Sequence, residues 1–155
     1  MATKIGILSD THGLMRDEAL RALEGSDLII HAGDIGRPEV LDALARIAPV
    51  HAVRGNVDTA GWARQLPRTA TVQVEGMRLY LLHNLAELDL DPAAGGFAAV
   101  IFGHSHKAVR EMRNRVFYLN PGSAGPRRFR LPVSVARMVV GAASARAEIV
   151  TLRGA

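Results

Sequence analysis

The chain has 155 residues, a formal charge of +4, and 48% apolar, 22% charged and 5% aromatic side chains. That length supports one domain spanning residues 1–155, with a core of Leu, Val, Ile and Ala, and the composition argues against disorder. Cysteine is absent, which excludes disulfides, zinc ribbons and thiol chemistry, so any metal must be held by His, carboxylate or amide groups.

In chain order, residues 4–9 (KIGILS) read as a buried strand. Ala19, Leu20 and Leu23 then share one helical face over residues 16–23, and Gly25 stops that helix. Residues 28–31 (LIIH) form a second strand. Pro38 opens a second helix as a favourable first residue, with Val40, Leu41, Leu44 and Ile47 along its face. Residues 50–53 are a third strand. This β-α-β-α-β order predicts parallel strands joined by right-handed crossovers.

The second half is richer in strands. Residues 71–74 and 77–82 flank Glu75-Gly76, a hairpin signal. Residues 98–102 are another buried strand. Residues 108–112 and 116–119 flank Arg113-Asn114-Arg115, and 133–140 with 146–152 read as a final hairpin. The pattern predicts parallel units first and antiparallel hairpins after them, packed as two sheets with helices outside.

Polar residues collect where strands end. Asp10 and His12 follow the first strand, Asp34 the second and Asn56 the third; His83 ends the strand 77–82, and His104 and His106 follow 98–102. Loops at the carboxyl ends of parallel strands share one edge of an α/β sheet, so five distant segments deliver seven metal-competent side chains to one rim. Two carboxylates, four imidazoles and one amide suit borderline divalent ions more than calcium or magnesium, and they are too many for one tetrahedral ion. In Asp10-Thr11-His12 and His104-Ser105-His106 an intervening residue lets both side chains point one way if the backbone is extended. Glycines before Asp34, Asn56 and His104 permit tight turns and close backbone approach.

Together the motifs Asp10-Thr11-His12-Gly13, Gly33-Asp34, Gly55-Asn56-Val57-Asp58, His83 and Gly103-His104-Ser105-His106 resemble the calcineurin-like metallophosphoesterase superfamily, in its small prokaryotic single-domain branch. Asn120-Pro121-Gly122-Ser123 also resembles that branch. The resemblance implies an α/β fold, a four-layer α/β/β/α sandwich of two mixed sheets with flanking helices. It implies that Asp10, His12, Asp34 and His106 hold a first divalent ion. Asp34, Asn56, His83 and His104 would hold a second, with Asp34 bridging. Manganese is the first choice, with nickel, zinc, iron or cobalt as the others. The chemistry implied is phosphodiester hydrolysis by a hydroxide held between the ions, with Asn56 also donating its amide protons to phosphate.

Two positions depart from the family pattern. Val57 stands where many members carry a histidine suited to protonating the leaving group, and relatives often read His-Gly-His where this chain reads His83-Asn84-Leu85. Val57 predicts a preference for diesters with good leaving groups. Asn84 either contacts substrate or satisfies a turn, and the turn is favoured. Asp58 either orients a ligand loop or is a turn carboxylate; His31 either backs Asp34 or simply ends its strand. His51 is read as a strand residue and Trp62 as a packed or partner-facing indole. Arg127, Arg128 and Arg130 are read as a solvated loop, and Arg54 as a candidate phosphate contact.

The expected partner is a small phosphodiester, with cyclic nucleotides among the candidates. Relatives of this kind are often dimers or larger, so a homo-oligomer is an open alternative. A +4 charge is too small to argue for nucleic acid. The chain holds no apolar run of spanning length, and Asp10 comes too early for a signal peptide, so a cytoplasmic protein without a membrane partner is expected. The rival readings are a weakly catalytic protein-binding scaffold like the retromer small subunit, a phosphomonoesterase, or a nuclease.

Overall fold

A run of apolar residues too continuous for a one-faced strand needs cover on both sides, and β1 (Thr3–Leu8) obtains it. Ile5 and Ile7 enter a cluster between two sheets, while Leu8 faces the helices. β2 (Leu28–His31) divides the same way, Ile30 inward and Ile29 toward the helices. The computed structural model describes residues 2–153. The first sheet runs β10-β9-β1-β2-β3, with β3 at Val50–Ala52, β9 at Ser134–Val140 and β10 at Ala145–Thr151. β1, β2 and β3 pair in parallel, and β9 joins β1 antiparallel.

α1 (Asp17–Leu23) and α2 (Pro38–Ala45) cover the outer face of this sheet. Asp17 and Glu18 sit in the first turn of α1, where carboxylates suit the helix dipole. Pro38 opens α2, as its fixed φ favours. Ala19, Leu23, Val40 and Leu44 are the buried anchors. Burying a leucine side chain of this kind stabilises by about 2 kcal/mol.

The second sheet runs β4-β5-β6-β8-β7, from β4 (Thr69–Val74), β5 (Met77–Leu82), β6 (Phe97–Ile101), β7 (Val109–Arg113) and β8 (Val116–Asn120). Both short hairpins form where their turn residues predict. Glu75 and Gly76, and likewise Asn114 and Arg115, adopt positive φ, the geometry that matches strand twist. Pairing in this half is not only antiparallel, however: β5, β6 and β8 lie parallel. The segments after β5 and β6 are long enough for crossovers, and the buried runs 79–82 and 99–102 need cover on both faces.

Leu79, Leu81, Ala99, Ile101 and Leu119 meet Ile5, Ile7, Ile30 and Met138 in the cluster between the sheets. The outer face of the second sheet carries Tyr80, Leu82, Phe97, Val100, Phe102 and Val116. Among the described residues no α-helix covers it. A single 3-10 turn (Leu85–Glu87) and the loop after it supply Leu85 and Leu88 instead. Asp91-Pro92 and Gly95-Gly96 explain this, since those dipeptides break a helix before it is long enough to hold. Two mixed sheets with few helices are therefore observed, and the fourth layer is loop and 3-10 turn. No described helix is long and apolar enough to cross a membrane.

Candidate metal centre

Because β1, β2, β3, β5 and β6 run the same way within their sheets, the loops that follow them converge. Loop-to-loop hydrogen bonds close the edge: Asp10 N–H to Gly33 O at 3.0 Å, His12 N–H to Asp34 O at 2.9 Å and Gly103 N–H to His83 O at 2.9 Å. Six of the seven sequence-derived candidates fall into two groups whose ligand atoms lie within 4.8 Å of one another: Asp10, His12 and His106, then Asp34, His83 and His104. The groups adjoin. His12 Nε2 is 3.7 Å from Asp34 Oδ2, and His83 Nε2 is 3.8 Å from Asp10 Oδ1 and 3.1 Å from Asp34 Oδ2. Asn56 is exposed at the rim and lines a cleft together with His83.

The backbone departs from the extended form expected for the Asp-x-His and His-x-His pairs. Asp10, His12, His104 and His106 all have positive φ, between 47° and 75°, and Asp34 has φ of 55°. Non-glycine residues adopt this region rarely, at a cost on the order of 1 kcal/mol or more each. Asp and His tolerate it better than most residues. Left-handed turns at both members of each pair, rather than strand alternation, aim the two side chains inward. Five such residues at one rim require an environment that over-determines them.

That environment is built from close approach and buried hydrogen bonds. A Cβ on Gly55 would lie 2.2 Å from both Asp34 N and Asp34 Oδ1, and one on Gly103 would lie 2.0 Å from Ser9 Oγ. Only glycine lets these loops stack so closely. Asp58, buried, accepts hydrogen bonds from Ile35 N–H (3.1 Å), Gly36 N–H (3.0 Å) and Gly55 N–H (2.9 Å). It thereby ties the Asp34 loop to the Asn56 loop, and Val57 N–H adds a bond to Asp34 Oδ1 at 3.1 Å. Asp58 thus joins the loops that carry Asp34 and Asn56 through three backbone N–H groups.

Asn120 braces the other side. Its Nδ2 donates to Gly103 O (3.0 Å) and Ser105 Oγ (3.1 Å), its Oδ1 accepts from Gly122 N–H, and Ser123 Oγ donates to Asp10 O at 3.2 Å. Ser9 Oγ and His104 N–H both donate to Asp10 Oδ2, leaving Oδ1 free to face the histidines. The motif Asn-Pro-Gly-Ser pointed to a special turn, but sequence alone carried no sign that its side chains clamp two distant loops. Ser9 was visible only as the last residue of a strand.

His31 joins the two central loops. Thr11 Oγ1 donates to Ile35 O, so it accepts from His31 Nε2–H at 3.0 Å, while His31 Nδ1 accepts from Gly33 N–H at 3.1 Å. The ring is neutral in this network, and complete burial lowers its pKa to about 4, against the pull of nearby carboxylates. His31 thus backs the loops of Asp10, His12 and Asp34.

The electrostatics identify what the centre suits. Asp10 Oδ1, His12 Nε2 and His83 Nε2 are buried without a hydrogen-bond partner, yet they face one another. His83 Nδ1–H donates to Ala32 O at 2.7 Å, which leaves Nε2 aimed at Asp34. Burial pushes the Asp34 carboxyl up, but the adjacent His83 ring and the bond from Val57 N–H outweigh it and bring the pKa to about 2. Asp10 is lowered in the same contest between burial and its His12 and Ser9 partners. Burial lowers His83, but Asp34 and Asp10 prevail and raise it. Buried oxygen and nitrogen donors converging on shared space, with ionised carboxylates among them, match what divalent cations require. The residues fit such ions.

The remaining candidates separate clearly. Asn84 Oδ1 accepts from Ala86 N–H at 3.1 Å and caps the 3-10 turn, as favoured, while also lining the cleft. His51 is exposed on β3, and Trp62 packs half-buried against the helix layer. Arg127, Arg128 and Arg130 lie on an exposed loop, but Arg128 is near enough to His106 to help burial lower that histidine's pKa. Arg54, Arg64 and Arg68 line the cleft beside His83. Of these only Arg54 stood out in the sequence, because 64 and 68 lie outside every motif.

Residues 3–142 match the model of the calcineurin-like phosphoesterase superfamily domain. A probable metallophosphoesterase of Methanothermobacter thermautotrophicus is 33% identical, with 77% of this chain and 76% of that protein covered. Phosphodiesterase YfcE of Escherichia coli is 32% identical, with 77% and 78% covered. Among solved structures, Vacuolar Protein Sorting 29 from Cryptosporidium parvum superposes with a TM-score of 0.82 at 20% identity, over 99% of this chain and 93% of that one. This last likeness concerns the fold alone.

Proposed function

The chain belongs to the calcineurin-like phosphoesterase superfamily, and from that premise we propose that it is a metal-dependent phosphodiesterase acting on small phosphodiesters. The observation that carries the reading is the pair of adjoining clusters with partnerless, mutually facing atoms at Asp10, His12 and His83. Asp10, His12 and His106 would hold one divalent ion, His83, His104 and Asn56 a second, with Asp34 between them. Manganese is the first candidate. When bound, such ions lower the pKa of a shared water and draw charge from phosphoryl oxygens.

The chain's own residues do the rest. Asp34 stays ionised well below neutral pH, so its charge is present throughout the working range. Ala32 O fixes the His83 tautomer, and Asp58, Asn120 and His31 hold the ligand loops. Asn56, which lines the cleft at the rim, would donate amide protons to the phosphate. Val57 is 49% exposed and cannot titrate, so the side chain there supplies no proton to the leaving oxygen. Diesters with good leaving groups are therefore the expected substrates.

A protein-binding scaffold has this fold too, but the two full clusters of candidate ligands with unpartnered, mutually facing atoms favour catalysis. The test strips the protein of metal and restores manganese, nickel, zinc or magnesium. Each form is then assayed on phosphomonoesters, linear diesters and cyclic nucleotides. Metal-restored turnover, best on nitrophenyl diesters, is expected. No turnover with any ion on any ester would replace the enzyme reading with the scaffold.

A further inference from the structure

Beside the metal centre lies a cleft of about 390 Å3 whose lining includes Arg54, Arg64 and Arg68. Three elements bring these arginines together. Arg54 follows β3, two residues before Asn56. Arg64 belongs to the 3-10 turn Gly61–Gln65. Arg68 immediately precedes β4, whose Thr69 pairs with Leu82, so the strand register sets Arg68 beside His83. Arg54 N–H to Pro67 O, at 2.8 Å, holds the first and third segments together. Of the seven candidate ligands only Asn56 and His83 border the cleft, so it flanks the centre on one side rather than lying over it.

The charges here are unspent. Arg54 Nε is buried with no hydrogen-bond partner. Among the described residues, none of the three guanidinium groups takes part in an ion pair or a side-chain hydrogen bond. The cleft contains two carboxylates, but Asp58 is occupied by three backbone N–H groups, which leaves Glu87. A fold gains nothing by gathering three like charges around a concave space, since they repel one another and Arg54 forfeits hydration. A bound anion reverses each of those costs. Guanidinium forks match tetrahedral phosphate oxygens, and three of them suit a dianionic phosphate better than a monoanionic carboxylate.

We infer that this cleft is a second anion subsite that holds a terminal phosphate on one arm of the diester substrate. The inference rests on the phosphodiesterase reading, which places the scissile phosphate at the centre against Asn56 and His83. The scissile group is then served by the metal ligands, and the three arginines remain for a second charged group. The volume accommodates a phosphate with part of its attached sugar or alcohol. The preferred class is thus a small diester that also carries a phosphomonoester, rather than an uncharged diester of the same size.

The test compares two chromogenic diesters with one leaving group: the nitrophenyl ester of thymidine 5′-phosphate, with and without a 3′-phosphate. In parallel, calorimetry measures thymidine 3′,5′-bisphosphate against thymidine 5′-phosphate on the metal-free protein, a readout that needs no turnover. The manganese-loaded protein should favour the 3′-phosphorylated ester in kcat/KM by about tenfold or more, mainly through KM. The bisphosphate should likewise bind about tenfold tighter. In the double variant Arg64→Gln, Arg68→Gln, both ratios should fall toward one; these are exposed side chains, and a retained melting transition confirms folding. The control double variant Arg21→Gln, Arg46→Gln, which removes an equal charge from exposed positions on α1 and at the end of α2, should keep both ratios. Equal rates and equal affinities in the unaltered protein would overturn the subsite. So would an equal loss in the Arg21→Gln, Arg46→Gln control, which would mark a general charge effect. An Arg-dependent affinity difference without turnover of either ester would keep the subsite and overturn the hydrolase reading.

Discussion

Asp58→Asn tests whether the metal loops are held by one buried carboxylate. Asp58 is 2% exposed, and its two oxygens accept from the N–H groups of Ile35, Gly36 and Gly55 at 2.9 to 3.1 Å. Asparagine keeps the shape but replaces one oxygen with a donor. At least one N–H then loses a charge-assisted bond of about 1.5–3 kcal/mol and meets another donor. The surviving bonds become neutral and weaken by about 1 kcal/mol in total or somewhat more. After local relaxation the net loss is about 3 kcal/mol, or about 6–12 °C in the melting temperature of a chain this size. Asp34 and Asn56 lie on the loops released, so manganese affinity should also fall by about 10- to 100-fold. Thermal unfolding of the metal-free protein reads the first effect, and calorimetric titration with manganese reads the second. A melting shift under about 2 °C with unchanged affinity would refute the reasoning, leaving Asp58 as a turn residue only.

Gly55→Ala should destabilise the protein by about 2 kcal/mol or more, because the added methyl meets the Asp34 backbone nitrogen, which cannot swing away as a side chain could. Denaturant midpoints check this, and a neutral result would show that the loops have slack. His31 gives a pH dependence: between its ordinary 6.5 and its folded value of about 4, the unfolded chain binds a proton that the folded protein refuses. Stability of the metal-free protein should therefore be free of this effect above pH 6.5 and fall by about 3 kcal/mol as pH drops from 6.5 to 4. His31→Gln should flatten that slope in denaturant titrations across the window, and an unchanged slope would assign it to other groups. Val57→His should raise the rate on alkyl diesters by about tenfold or more while changing nitrophenyl diesters little, since only the poor leaving group needs a proton. A uniform change across both substrates in steady-state assays would remove the leaving-group argument.

Much of the fold was legible because its signals are local. The strand 28–31, the helix start at Pro38 and the hairpin at Glu75-Gly76 follow from apolar runs, a fixed proline φ and a turn pair. What was not legible depends on partners far apart in the chain. The parallel pairing of β5, β6 and β8 is decided by which sheet face needs cover, and no property of those strands taken singly distinguishes it from a hairpin. The missing outer helix was encoded in Asp91-Pro92 and Gly95-Gly96, but as breakers within a segment that no pattern had marked as helical. Six candidate ligands converge because their loops follow strands with a common edge. The left-handed backbone of five of them was invisible, since extended and left-handed forms place the same residues in the same order. Nor could spacing show that Asn120 reaches Gly103 or that Asp58 reaches Gly36, because those bonds depend on how the loops stack.

The central claim is that Asp34 stands between two ions in one site. Metal-free protein titrated with manganese should take up two ions per chain, and electron paramagnetic resonance at full loading should show an exchange-coupled pair. Asp34→Asn should lose the coupling along with most of the turnover of a nitrophenyl diester, because the charge shared by both ions is gone. A single isolated manganese signal at saturation, or an Asp34→Asn protein that keeps two coupled ions and full turnover, would contradict the account.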